Sequence, residues 1–272
     1  MGNCKIMEQL KILFVTQEDP FYVKNFFEEF FDIYPFFKKE IKGIVVCRTL
    51  GQGSIMKLIR KLYAFYGFKD FIKMIVRYFN LKLSAIGRKF GLTKKNFTLE
   101  QLFSAHGLNY EYVSDVNNKN FIDKWKGQGI NLIVSVAASE IFKQPLLDMP
   151  ELGCINIHHA PLPRYRGMLP NFWQMFNDEK EVFITVHKMD TKLDNGDMIS
   201  QRSVLINNDE SLDQLIKRTK RLGAHVMKES LDKIREGRVS CIPVDSAEQG
   251  SYYSFPQAED VKEFRKKGYR LL

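Results

Sequence analysis

Apolar residues along this chain alternate between two spacings. Short, nearly continuous apolar runs stand at residues 11–16 (Lys-Ile-Leu-Phe-Val-Thr), 41–47, 131–136 and 153–157, the signature of strands buried on both faces, and 109–113 (Asn-Tyr-Glu-Tyr-Val) reads as a further strand. Between them apolar positions recur every three or four residues, at 21–34, 98–106, 120–128 and 141–149, which predicts amphipathic helices. Phe26, Phe27, Phe30 and Phe31 share such a spacing and read as core. Thr98, three residues before Gln101, reads as a helix N-cap. Strand and helix therefore take turns, and the pattern predicts an α/β fold with a doubly wound, mostly parallel sheet whose ligands sit at the carboxyl ends of its strands. Further along come a helix at 169–177, strands at 182–187 and 198–205, a long helix at 211–235 introduced by Asn208 or Asp209, and a last strand at 239–244. The tail, 252–272, mixes aromatic and basic residues and is expected to drape over the domain.

Composition changes this picture at one place. The chain has 272 residues, 44% of them hydrophobic, and a net charge of +9. Residues 55–95 carry eleven Lys and Arg against Asp70 alone, so this one segment holds the whole excess. Within it Leu58, Leu62, Phe65, Phe68, Ile72, Ile75, Phe79 and Leu83 recur at helical steps, the pattern of two amphipathic helices broken near Gly67. The expectation is a basic helical insertion that packs on the domain and leaves its lysine face in water. The alternative is an interfacial helix pair that meets anionic lipid or a phosphorylated partner.

Residues 1–10 read as a leader, 11–207 as the main domain with its insertion at 55–95, and 208–272 as a C-terminal helix and extension. No stretch approaches the roughly eighteen consecutive apolar residues of a membrane span, and no signal-peptide order opens the chain, so a cytoplasmic protein is expected. Cys4, Cys47, Cys154 and Cys241 are scattered without metal-ligand spacing and read as reduced thiols. Gly51-Gln52-Gly53 is a glycine-rich turn that lacks the rest of a dinucleotide fingerprint.

Two polar motifs carry the candidate chemistry. In the first, Gly153-Cys154-Ile155-Asn156-Ile157-His158 runs as a strand into a loop, His159-Ala160-Pro161-Leu162-Pro163-Arg164-Tyr165-Arg166-Gly167, that its prolines keep out of helix. Side chains two apart on a strand share a face, so Asn156 and His158 point the same way. In the second, Thr185-Val186-His187 leads into an acidic loop, Lys188-Met189-Asp190-Thr191-Lys192-Leu193-Asp194-Asn195-Gly196-Asp197. An amide, an imidazole and a carboxylate drawn from these segments make a candidate site for moving a proton beside an oxyanion.

These motifs, Asn-Ile-His with Leu-Pro-Arg-Tyr-Arg-Gly and, downstream, Thr-Val-His with Leu-Asp-Asn-Gly-Asp-Met-Ile, resemble the 10-formyltetrahydrofolate-dependent formyltransferases. The likeness is sharpest over 132–201 and extends in element order from about 11 to 240. It implies a Rossmann-like formyltransferase fold, 10-formyltetrahydrofolate as cosubstrate, and Asn156, His158 and Asp194 as the catalytic set. It also implies a largely backbone folate pocket at Ser139, Glu140, Ile141 and Phe142 and at Met189 and Asp190 on the loop that leads to Asp194. No metal is implied. The loop at His159 to Pro163 departs from the family's common Pro-Ser-Leu-Leu-Pro. His159 and His187 are left open, each as a pocket or a packing residue.

The family leaves the acceptor amine undetermined. Its methionyl-tRNA enzymes carry a C-terminal barrel, whereas 28 residues follow Val244 here, which lowers the expectation of tRNA. Its glycinamide ribonucleotide enzymes are shorter and lack the basic insertion. The expectation is a sugar N-formyltransferase acting on a nucleotide-linked amino sugar, with Phe172, Trp173 or tail tyrosines as stacking surfaces. Methionyl-tRNA formylation, a folate-dependent hydrolase and a non-catalytic folate-binding or membrane-associated module stay as alternatives, and oligomerisation is left open.

Overall fold

The computed structural model describes residues 9–47, 55–244 and 250–272. The glycine-rich turn at 51–53 and most of the expected leader lie outside the described residues. The apolar runs become strands β1 (Ile12–Gln17), β2 (Ile41–Cys47), β3 (Tyr110–Val113), β4 (Leu132–Val136) and β5 (Cys154–His158). These five pair with one another in parallel. Strands β7 (Glu181–Lys188) and β8 (Met198–Leu205) complete a seven-stranded sheet in the order β3-β2-β1-β4-β5-β7-β8. β7 runs antiparallel to β5. The expected mostly parallel α/β sheet is therefore present, with its direction reversed at β7.

Each face of the sheet is buried by helices, which is why β1, β2 and β4 are apolar on both sides. One face carries helices α1 (Val23–Ile33) and α8 (Leu212–Arg235) over Phe14, Ile155, Ile157, Ile184 and Val186. Phe26, Phe27 and Phe30 of α1 are fully buried there, each worth about 2–3 kcal/mol over leaving the ring in water. The opposite face packs Leu13, Val15, Val45 and Cys154 against Phe121 and Trp125 of α5 (Lys119–Gly127) and Leu146 and Leu147 of α6 (Gln144–Leu147). Thr98 caps α4 (Leu99–Ala105) as its spacing predicts, accepting from the Gln101 amide.

Four expectations are corrected. The helix at 141–149 shrinks to the single turn α6, because Pro145 removes an amide and fits only near a helix start. The long helix α8 is capped by Ser211 rather than Asn208 or Asp209. Its hydroxyl accepts from the Gln214 amide while the Gln214 side chain accepts from the Ser211 amide. The last strand at 239–244 is reduced to one bridge between Met198 and Ile242. The tail holds a helix, α9 (Ala258–Lys266), whose Val261 and Phe264 enter the main core beneath α7 (Pro170–Phe176).

The basic segment forms α3 (Ile55–Lys89), interrupted at Gly67 with φ 64° and ψ 171°, a conformation open to glycine alone. The break near Gly67 was legible. The packing was not. Phe65, Tyr66 and Met74 are buried against the domain, but Phe68, Ile72, Ile75, Phe79 and Leu83 face water. No described helix is long and apolar enough to cross a membrane.

Candidate active site

Alternation along β5 sends Ile155 and Ile157 into the α1/α8 core and turns Asn156 and His158 to the other face. β7 contributes to the same place through its register, since Asn156 pairs directly with His187. The loop after β7 then folds back across the sheet and delivers Asp194, with φ 49°, between the two strands and the Arg166–Gly167 strand β6. The three residues expected to form the catalytic set are thereby brought together. His158 and Asp194 are 7% and 8% exposed.

The contacts fix most of the proton positions. His187 Nδ1 lies 2.7 Å from the Lys188 carbonyl, which can only accept, so that nitrogen carries the hydrogen. Burial, reinforced by His158 and opposed by Asp194, pushes the His187 pKa down to about 4, so the ring is neutral near neutral pH. Its free Nε2 lone pair then accepts from the Asn156 amide at 3.2 Å. The same amide nitrogen lies 3.4 Å from Asp194 Oδ1. Asp194 Oδ2 accepts from the Gly167 backbone amide at 3.1 Å and sits 3.6 Å from His158 Nδ1. His158 Nε2 donates to the Tyr165 carbonyl at 2.9 Å. His158 thus directs Nε2 at the Tyr165 carbonyl and Nδ1 toward the Asp194 carboxylate.

His187 is the fourth member of this cluster. Its signal was its place two residues after Thr185, opposite Asn156 once the strands are paired antiparallel, and strand direction is not legible from one sequence. His159 turns away: it is buried against Gly223 of α8, and burial and Lys220 hold its pKa well below the usual range.

The loop after β4 leaves beside β5, since Val136 pairs with Ile157. Along it Glu140 accepts from the Val116 amide at 3.1 Å and the Ile141 carbonyl accepts from Asn117 at 3.0 Å, leaving the Ile141 side chain 65% exposed. Phe142 is buried in the same apolar cluster against which Met189 packs. Asp190 is occupied in shaping its own loop, accepting from the Lys192 amide and from Asn195. Of the residues expected to contact folate, Phe142 and Met189 therefore share one apolar cluster, Ser139, Glu140 and Ile141 lie on the loop beside β5, and both oxygens of Asp190 are engaged within the loop.

A second small sheet borders the cluster. β6 pairs with β9 (Tyr252–Tyr253), and Gly167, with φ 99°, leaves no room for a side chain because a Cβ would stand 2.2 Å from the Tyr253 carbonyl. Tyr253 is stacked between Tyr165 and Trp173. Phe172 and Trp173 are buried and unavailable for stacking on a ligand, which corrects that expectation, whereas Tyr252 is 63% exposed. Arg166 reaches Asn195 at 3.1 Å, and its buried Nε finds no partner among the described residues.

The formyl transferase family model matches residues 89–231. The methionyl-tRNA formyltransferase of Caldanaerobacter subterraneus subsp. tengcongensis is 38% identical over 138 residues, 51% of this chain and 44% of that protein. The chain thus spans less than half the length of this curated relative. Among solved structures, glycinamide ribonucleotide transformylase 1 from Symbiobacterium toebii superposes with a TM-score of 0.59 at 13% identity, over 90% of this chain and 99% of that one. The N-formyltransferase from Helicobacter canadensis, solved with folinic acid and dTDP-3-aminofucose, gives 0.53 at 15% identity over 90% and 71%. These two likenesses establish the fold. The family match takes in more than half of the sequence and every member of the Asn156, His158, His187 and Asp194 cluster, and the chain belongs to the formyl transferase family.

Proposed function

We propose that this chain transfers the formyl group of 10-formyltetrahydrofolate to a primary amine, and that the acceptor is an amino sugar linked to a nucleotide. The observation that carries the first part is the convergence of Asp194 with Asn156 and His158 of β5 beside a loop of exposed and apolar residues. The amine nitrogen attacks the formyl carbon, the carbonyl oxygen becomes an oxyanion, the amine loses a proton and the departing folate nitrogen gains one. His158 moves that proton, with Asp194 supplying the opposing charge. Asn156 donates to the oxyanion by exchanging its longer contact, the one to Asp194, for the substrate oxygen. His187, neutral and locked by the Lys188 carbonyl, keeps the amide's other hydrogen and so sets its orientation. The loop from Ser139 to Phe142, with Met189, offers the wall for the folate ring, and backbone groups provide its polar contacts.

The acceptor reading rests on Arg166 and Tyr252, a cation on the strand whose Gly167 amide holds Asp194 and an exposed ring on the strand paired with it, suited to a phosphate and a base. A second reading, methionyl-tRNA, is favoured by the named relative and by the cations of residues 55–95. The test is an acceptor panel in which purified chain and 10-formyltetrahydrofolate are mixed separately with dTDP-linked amino sugars, methionyl-tRNA and glycinamide ribonucleotide, with tetrahydrofolate release followed by absorbance. Release with the nucleotide sugars is expected. Release with tRNA alone, steeply reduced by salt, overturns the acceptor. Silence with every amine overturns formyl transfer itself.

A further inference from the structure

The outward side of α3 has a composition unlike the rest of the surface. After the break at Gly67, Phe68, Ile72, Phe79, Leu83, Ile86 and Phe90, just beyond the helix end, follow one another at steps of three, four and seven, so they lie in one stripe along the helix. All are exposed, Phe68, Phe79, Leu83 and Phe90 by more than 60%. Soluble chains rarely leave so long a run of aromatic and aliphatic side chains in water unless something covers it. The domain does not cover it, because α3 turns Met74 and Ala85, on its other side, toward the protein.

Charge identifies what does. At 3.6 residues per turn Lys69 and Lys73 fall along one edge of the stripe and Lys82 and Lys89 along the other, and all four are exposed. Asp70, the acidic residue of the segment, is engaged by Lys73 and Arg265. A second copy of this face would bring one row of cations against another. A nucleic acid would use the lysines and leave the phenyl rings and leucines in water. An apolar stripe rimmed on both sides by lysines matches a layered partner, acyl chains beneath anionic headgroups.

We propose that the stripe of α3 from Phe68 to Phe90 seats the protein on an anionic phospholipid bilayer, with the helix lying in the plane of the interface. The helix cannot cross the bilayer, so attachment is peripheral and reversible. The N-terminal half of α3 joins this surface to the site region, since Phe65 packs on Phe172 and on Phe255, two residues beyond β9.

The test uses the full chain with sucrose-loaded vesicles of phosphatidylcholine alone or mixed with phosphatidylglycerol, read by co-sedimentation. Sedimentation with the mixed vesicles is expected, and little with phosphatidylcholine. The exposed pair Phe79→Ser with Leu83→Ser, and separately Lys69→Glu with Lys82→Glu, are each expected to lower partitioning about tenfold or more with unchanged circular dichroism. Absence of sedimentation with mixed vesicles overturns the proposal. So does unaltered binding by the serine pair, or a concentration-dependent dimer in ultracentrifugation that the serine pair abolishes. Capture by bulk tRNA that the serine pair leaves intact assigns the face to nucleic acid instead.

Discussion

Within the cluster, Asp194 is the residue on which the others turn. One oxygen faces the Asn156 amide, and the other faces His158 while accepting from Gly167. Replacing it by Asn preserves shape and removes the charge opposite His158. Asp194→Asn is expected to lower kcat with the true acceptor by about 10²–10⁴-fold, with circular dichroism and thermal midpoint near those of the parent. Turnover within a few-fold of the parent would take the carboxylate out of the mechanism. His187 carries a different prediction. Burial lowers its folded pKa to about 4 from an unfolded value near 6.5. Between those values the unfolded chain binds a proton that the folded chain refuses. Its stabilising effect is therefore complete above pH 6.5 and is lost as pH falls toward 4, by roughly 3 kcal/mol at most. His159, also held neutral, acts in the same direction. Urea midpoints at pH 7 and pH 5 should fall less in His187→Gln than in the parent, and equal falls would show that His187 is not the group being forced to charge.

Among the elements, α8 depends on local chemistry at its start. The reciprocal cap between Ser211 and Gln214 satisfies two amides that the helix itself cannot, at the point where α8 first enters the core through Leu212. Ser211→Ala should cost about 1 kcal/mol in a denaturant titration with little change in slope, and a loss under a few tenths would mean that water replaces the cap. Elements also divide by how readable they were. The strands were plain because a run buried on both faces has to be apolar throughout. The Thr98 cap was plain because a side chain spaced three residues from its partner is local information. Helix α9 was hidden because seven of its nine residues are neither Val261 nor Phe264, and most of those are charged, so two buried side chains anchor it. The apolar face of α3 was legible, and what stayed open was which way it turns. Helical periodicity identifies an apolar face but not what that face meets.

For the molecule as a whole, parallel order from β3 to β5 and convergence of two distant motifs were recoverable from the chain, and the direction of β7 was not. In that reversed direction the register sets the ring of His187 across from Asn156 and makes it a member of the cluster. The tail was another matter of long range. β9 and α9 bring Tyr253 to Gly167 and Phe264 to Phe172, contacts between positions far apart in the chain that no local pattern announces.

The cross-strand pairing of Asn156 with His187 has one more consequence. Their relative placement is held by a ladder of main-chain bonds, whereas Tyr252 and Tyr253, which border the cluster, reach it through the separate pairing of β6 with β9. Under the proposed function, exchanging that β9 border for one of different length is expected to alter which amine is admitted while leaving the amide and the ring in place. An engineer wishing to redirect this scaffold would accordingly leave the ladder alone and rebuild its border.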